Sequence, residues 1–437
     1  MKTLEVQGAP NVKLTKYSGW THEFEWSAAG FLELTLTIRA DSDWSVTDRE
    51  SALIDIHLDG VYNQTVITHM GERDFPYVRL LGWVEAGEHK LSLAFSRYSS
   101  PLAQEAALVS FRIERIEADS EKALVYKHAP VLHYRQLAHP YESRYTDTPM
   151  LTFYLTYEEA GLSVIEYHTL YSHEDEGTAA PLLMSKWGRL TDIEWAYRVY
   201  LNAEGGVVKA EYQGPHHKTT TFAGGYALGG HPVLQAATGN GNVTDEPLSH
   251  CRCLLPPVYR WHPESEPRER VMDLYPFTYQ MMCWELRRQA RWESPADSDT
   301  IQLADPRSYL YVQTSKYGVD RSLKTSVDIQ VKLTGEPRWY SSSFGDRRAG
   351  SFRAAYDGPY ERFSTAVKLP DGMSVDRIEE IRVSLLPGGE DRMTVKGLKA
   401  FFLDESFLPG DALMTDIIVD VTADEPSATL WKGNRNG

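Results

Sequence analysis

Apolar residues recur at every second position in Leu32-Glu33-Leu34-Thr35-Leu36-Thr37-Ile38 and in Ile54-Asp55-Ile56-His57-Leu58. That is the two-residue period of a half-buried strand. Asp59-Gly60 supplies a tight-turn dipeptide after the second run, and Glu85-Ala86-Gly87-Glu88-His89 turns into the alternating Leu91-Ser92-Leu93-Ala94-Phe95. Residues 1–120 are therefore expected to form a β-sandwich, with the charged stretch 114–122 as a linker. Further strands are predicted over 151–156, 163–170, 192–201 and 232–237, broken by Gly224-Gly225 and Gly229-Gly230. Phe277, Met281 and Trp284 fall at i, i+4 and i+7 behind Pro276, which predicts a helix to about Arg291 within a region of one or two helices near 266–293. Strands return at 309–313, 327–333, 363–369, 378–385 and 397–403. Pro370-Asp371-Gly372 and Pro387-Gly388-Gly389 provide turns, and the stretch beyond Thr422 has no period, so it is expected to be loose. The predicted fold class is mainly β: three consecutive β-sandwich or jelly-roll-like domains, at 1–120, 121–300 and 301–437.

Composition narrows the function classes. A chain of 437 residues exceeds one ordinary core, and 42% hydrophobic with 24% charged residues is a globular composition. Its net charge of -16 repels phosphate backbones, so nucleic acid is not an expected partner. Three cysteines, Cys251, Cys253 and Cys283, are not a disulfide scaffold. No run approaches a spanning helix and no leader pattern opens the sequence. The expected location is the cytoplasm, or outside the cell if a leader has been removed. Phosphate-loop, dinucleotide, Gly-x-Ser-x-Gly and His-Glu-x-x-His signatures are missing, so no nucleotide cofactor is expected.

The most informative segment is Thr191-Asp192-Ile193-Glu194-Trp195-Ala196-Tyr197-Arg198-Val199-Tyr200-Leu201. Regular strand alternation places Ile193, Trp195, Tyr197, Val199 and Leu201 on one face, with Asp192, Glu194 and Arg198 on the other. Two carboxylates at i and i+2 repel, so the pair is metal-bound, pKa-shifted or solvated. Upstream, His168 precedes the acidic turn His173-Glu174-Asp175-Glu176-Gly177, an oxygen-rich loop of the kind that helps complete calcium coordination. Downstream, Gln213-Gly214-Pro215-His216-His217-Lys218 offers adjacent histidines suited to acid, base or ligand roles near neutral pH.

Ile56-His57-Leu58-Asp59-Gly60-Val61 followed by Ala86-Gly87-Glu88-His89-Lys90-Leu91 resembles a pattern of jelly-roll carbohydrate-binding modules. The succession Ile165-Glu166-Tyr167-His168, Thr191-Asp192-Ile193-Glu194-Trp195, Tyr212-Gln213-Gly214-Pro215-His216 and Gly230-His231-Pro232-Val233-Leu234-Gln235-Ala236-Ala237-Thr238-Gly239 resembles the vacuolar protein sorting-associated protein 62 family over about 165–241. Necrosis-inducing cytolysins have a similar acidic strand. In those families the signature reads Gly-Asp-Trp-Glu-His. Asp192 and Glu194 match its acids, whereas Ile193 and Trp195 replace its tryptophan and histidine, and a later Gly-Ser-His becomes Gly239-Asn240-Gly241. In the cytolysins the acids hold a divalent ion used against membrane lipids with sugar headgroups, so the resemblance implies a metal-assisted or glycan-facing site at Asp192 and Glu194.

The expected function is that of a carbohydrate-active protein, in its specific form a glycoside hydrolase. Asp192, Glu194 and Glu174 supply the carboxyl groups, while His168, His216 or His217 is the candidate base in a lyase variant. Arg198, His217 and Trp195 are the expected substrate contacts, and Asp192, Glu194 and Asp175 the ligands of a calcium or magnesium ion. The alternatives are a non-catalytic protein binding glycan, glycolipid or membrane lipid, and a structural subunit that assembles as a homo-oligomer.

Overall fold

The computed structural model describes residues 5–135, 145–174, 178–300, 302–318, 327–343, 360–386 and 391–433. The chain is mainly β, built from several sheets in which most strand pairs are antiparallel, and divides into two compact units.

The first unit comprises Met1–Asp175 and Asp192–Arg260. Its N-terminal sandwich has one sheet in the order Glu5–Gly8, Glu105–Ile116, Gly30–Ala40, Phe75–Val84, and another in the order Trp20–Trp26, Gly87–Phe95, Leu53–Leu58, Val61–Ile67. The alternating positions Leu34, Leu36, Ile38, Ile54, Ile56, Leu91 and Leu93 are buried together with Trp26, as period-two patterning requires. Asp59 and Gly60 both take positive φ, 53° and 80°, which lets the hairpin close tightly. Asp59 also accepts the Lys90 amide at 2.8 Å and lies 2.8 Å from His89 Nδ1, so the Asp-Gly and Ala-Gly-x-His segments are tied across the sheet.

Two outer strands of this sandwich, Val61–Ile67 and Phe75–Val84, are covered rather than left open to pairing. Along Val61–Ile67, Arg252 Nε donates to the Asn63 carbonyl at 2.8 Å, and Gln64 Oε1 accepts the Leu254 amide at 2.8 Å. Beside Phe75–Val84, a Cβ on Gly82 would stand 2.1 Å from the Leu228 carbonyl oxygen. The stretch expected to be a linker is ordered: the strand runs to Ile116, and Ser120 caps a helix at Glu121–Lys127 by accepting the Ala123 amide.

The remainder of this unit carries a six-stranded sheet in the order Lys218–Thr221, Val207–Gly214, Asp192–Leu201, Leu162–Tyr171, Pro149–Glu159, Pro257–Arg260. A second sheet contains Tyr226–Ala227, His231–Ala236, Val131–His133 and Arg252–Leu254, with Val243–Thr244 alongside His231–Ala236.

The second unit comprises Glu176–Thr191 and Trp261–Gly437. One sheet runs Arg362–Lys368, Tyr309–Gly318, Arg392–Leu403, Pro409–Thr422, and the other runs Trp339–Ser341, Val327–Leu333, Ile378–Leu385, Ser427–Lys432. Val312, Ile329, Val331, Ile381, Val383 and Val395 belong to its core. Ser427–Lys432 corrects the expectation of a loose tail: it pairs with Ile378–Leu385, and Leu430 is buried. Pro387-Gly388-Gly389 lies outside the described residues.

The predicted helix is found at Phe277–Arg288, after a short helix at Arg270–Leu274. Its most buried positions include Thr278, Met281, Met282, Glu285 and Leu286, so Phe277 and Trp284 border the buried face instead of defining it. A further helix, Ala180–Trp187, comes from the stretch just before the acidic strand. It ends at Gly188 in the left-handed region, φ 60°, where a Cβ would meet the Thr365 backbone at 2.8 Å. Ser185 donates to the Ser342 carbonyl and accepts from Thr365. Arg189 Nε lies 3.0 Å from Glu269 Oε1, and the same guanidinium donates to the Thr191 carbonyl.

Candidate functional site: the acidic strand

Asp192–Leu201 pairs with Leu162–Tyr171 in a register that contains one extra residue. Tyr167 lies opposite Tyr197, and His168 lies opposite Trp195, leaving Ala196 as a bulge. The bulge reverses the alternation and overturns the expected grouping of faces. Arg198 is separated from Asp192 and Glu194 and sits with Trp195, its guanidinium carbon 4.3 Å from the ring centroid. Arg198 Nε reaches Glu166 Oε2 at 2.7 Å, and His168 Nε2 lies 2.8 Å from Glu166 Oε1. Tyr200 donates to Glu211 at 3.0 Å and Lys209 to the same carboxylate at 3.1 Å, extending the group into an ion ladder across neighbouring strands.

Burial pushes the Glu166 carboxyl up, but His168 and Arg198 outweigh it and hold it at about 2. The folded-state value lies below the ordinary value of 4.5, so this stabilisation is complete above that range and is lost as pH falls through the range toward 2. Glu166→Gln is expected to lower stability by about 2 kcal/mol at pH 7, and by less at pH 3, in denaturant titrations. An equal loss at both pH values would contradict the assigned charge state.

The two acids occupy the other group. Asp192 lies opposite Tyr171, and Glu194 lies opposite Thr169. Asp192, Tyr171 and Thr169 are 0–1% exposed and form a floor, whereas the Glu194 side chain is 17% exposed. Burial, and then the charges of Asp192 and Glu194, hold the Tyr171 phenol well above its ordinary value, so its hydroxyl keeps the proton. Neither the Tyr171 nor the Thr169 hydroxyl has a hydrogen-bond partner among the described residues.

Gly241 closes against this floor at φ 65°. A Cβ there would lie 2.4 Å from Asp192 Oδ2 and 2.8 Å from the Tyr171 ring, so only glycine lets the loop backbone approach. Gln213, 3% exposed, donates to Glu194 Oε2. Its amide nitrogen also lies 3.1 Å from His217 Nδ1, and that imidazole nitrogen is 3.8 Å from Glu194 Oε1. Asn242 Oδ1 accepts the His217 amide at 3.3 Å, and Asn240 Nδ2 lies 3.4 Å from His217 Nε2. His216 and His217 both adopt left-handed backbone, φ 61° and 56°, a strained pair of the kind that persists where surrounding contacts fix it.

Of the residues expected from sequence, the structure thus gathers Asp192, Glu194 and His217. His168, Arg198 and Trp195 belong to the Glu166 group. His216 is exposed, Glu174 is half-buried, and Asp175 lies outside the described residues. Sequence reasoning missed Gln213, Tyr171, Thr169, Gly241 and Asn242 as parts of the site. An Asn-Gly-Asn run is turn-prone, but nothing in Asn240-Gly241-Asn242 announces proximity to Asp192. Among the described residues no three Asp, Glu, His or Cys side chains converge. Two carboxylates, one of them already bonded to an amide, fall short of the ligand set that a divalent ion takes.

No family model matches the chain, and no curated protein matches it. Solved structures resemble parts of it. One is the CBM36-1 domain of a multidomain xylanase from the hindgut metagenome of Trinervitermes trinervoides, at 12% identity over 26% of this chain and 98% of that one, with a TM-score of 0.20. Another is the carbohydrate-binding module CBM36 in complex with calcium and xylotriose, at 11% identity over 25% of this chain and 88% of that one, TM-score 0.18. A third is NLPPya in complex with mannosamine, at 10% identity over 33% of this chain and 75% of that one, TM-score 0.23. Scores this low carry no assignment, and the sandwich architecture rests on the sheets themselves. The resemblance to the vacuolar sorting family rests on the sequence strings alone.

Proposed function

We propose that the protein binds carbohydrate through the Glu194 end of the acidic strand. The supporting observation is the grouping of Glu194, Gln213 and His217: an accessible carboxylate, a buried amide fixing one of its oxygens, and a side chain 56% exposed beside it. An ionised carboxylate accepts charge-assisted hydrogen bonds from vicinal hydroxyls, and the imidazole adds a polar edge that donates or accepts. Gln213 restricts the Glu194 rotamer before the ligand arrives, which reduces the ordering cost of binding. Asp192, Tyr171 and Thr169 shape the floor beneath.

Binding fits this geometry better than glycoside hydrolysis. A hydrolase needs two carboxyl groups reaching opposite sides of one glycosidic bond, and Asp192 at 1% exposure offers no surface to a substrate. The hydrolytic form remains the sharper alternative and would use Glu194 with Glu174.

Glu194→Gln keeps the shape and removes the charge. It is expected to weaken binding to the glycan selected by the wild-type chain on an array at least tenfold, or about 1.4 kcal/mol. Undiminished binding would sink the proposal. Reducing ends released by the wild type and abolished in Glu194→Gln would replace the binding reading with the hydrolytic one. Repeating the array with chelator separates binding by side chains alone from binding through an ion held with Asp192, Glu194 and Asp175.

A further inference from the structure

We infer that His128 and His231 form an acid-sensitive latch that holds the N-terminal sandwich against the Tyr226–Ala236 region. Both rings lie at this junction and both are buried, at 7% and 0% exposure. His231 Nδ1 lies 2.9 Å from the Ala129 carbonyl, an acceptor only, so this nitrogen carries the hydrogen. The remaining nitrogen, Nε2, has no hydrogen-bond partner among the described residues, and the same is true of His128 Nε2. The His231 ring meets Phe31 edge to face at 5.7 Å, and Phe31 in turn packs on Trp83 at 5.1 Å. Beside them, glycines allow contact at backbone distance: Gly82 against the Leu228 carbonyl, and Gly229 against Trp83. A proton on either Nε2 would create a charged donor without an acceptor in this tight apolar junction.

The surrounding charges do not relieve that penalty. Lys127, on the helix before His128, repels a second positive charge, and the two histidines repel each other once protonated. Glu33, on the Phe31 strand, is held by Tyr126 and by Lys122 at 3.0 Å. Glu85, beside the Trp83 strand, accepts from the Trp83 indole at 2.9 Å. Among the described residues no carboxylate acts on either ring. Burial, followed by Lys127 and His231, lowers His128 to about 4. Burial likewise lowers His231 to about 4, against an opposing contribution from the Ala129 carbonyl. Both folded-state values lie below the ordinary 6.5, so docking is at full strength above that pH and weakens as pH falls from it toward 4.

The test follows amide hydrogen exchange of the full chain after equilibration at pH values from 7 to 4, at peptides spanning 75–84 and 226–236, together with far-ultraviolet circular dichroism. Protection at these peptides, corrected for the slower intrinsic exchange in acid, is expected to fall as pH drops while the circular dichroism stays constant. The combined variant His128→Gln with His231→Asn keeps polar shape without titration, and is expected to lower the opening midpoint by about one pH unit. Should that variant not fold, His128→Gln alone must lower the midpoint by a smaller amount. Unchanged protection down to pH 4, loss of circular dichroism at the same pH as opening, or an unshifted midpoint in the folded variant would overturn the latch.

Discussion

Alanine in place of Arg189 is expected to lower stability by about 3–5 kcal/mol, the cost of leaving one partner of a buried ion pair uncompensated. Glu269 is 3% exposed, and its Oε1 lies 3.0 Å from Arg189 Nε. Without the guanidinium, the carboxylate must stay charged in a poor medium or take up a proton. The Thr191 carbonyl loses a donor at the same time, and Thr191 immediately precedes Asp192. For a unit of this size, such a loss lowers the melting temperature by roughly 6–20 °C, measurable by calorimetry. Replacing both partners together with methionine should recover most of it, because no charge is then stranded. A single variant that melts like the wild type would show that the pair is not what holds the segment after the helix Ala180–Trp187 in place.

Gly82→Ala is expected to cost about 2–4 kcal/mol through two independent effects. The residue has φ 90°, which an L side chain resists, and its added Cβ would fall 2.1 Å from the Leu228 carbonyl oxygen. Backbone stands in the way, so no rotamer change relieves the clash. Gly60→Ala is the matched control: φ is also positive, at 80°, but nothing lies within 4 Å of its Cβ. It should lose only the conformational part, about 1 kcal/mol. Equal losses in the two variants, read from urea midpoints, would mean that the Leu228 contact does not contribute.

The parts of this fold visible in the sequence are those governed by local periodicity. Leu32 to Ile38 alternates because its sheet is covered on one side, and Asp59-Gly60 forms the turn because both residues tolerate positive φ. The helix after Pro276 was legible from its apolar spacing, although burial on most sides rotated the expected face. The grouping of Asp192, Glu194 and Arg198 failed for a definite reason: one inserted residue, Ala196, changes which side every later residue takes, and no residue type marks such a bulge. Gln213 and Gly241 were illegible as site residues because they reach Glu194 and Asp192 through tertiary approach from other strands and turns. The C-terminal strand was missed because Ser427–Lys432 is short, and its partner Ile378–Leu385 lies far upstream.

The helix Ala180–Trp187 has a consequence for biosynthesis. It leaves the ribosome long before Ser342 and Thr365, the residues that receive it. At ordinary elongation rates the nascent chain waits roughly 10–35 s between the two events. During that interval Leu183 and Met184 have no completed core to enter, which makes this segment a natural client for chaperones and the point at which slowed translation would favour aggregation.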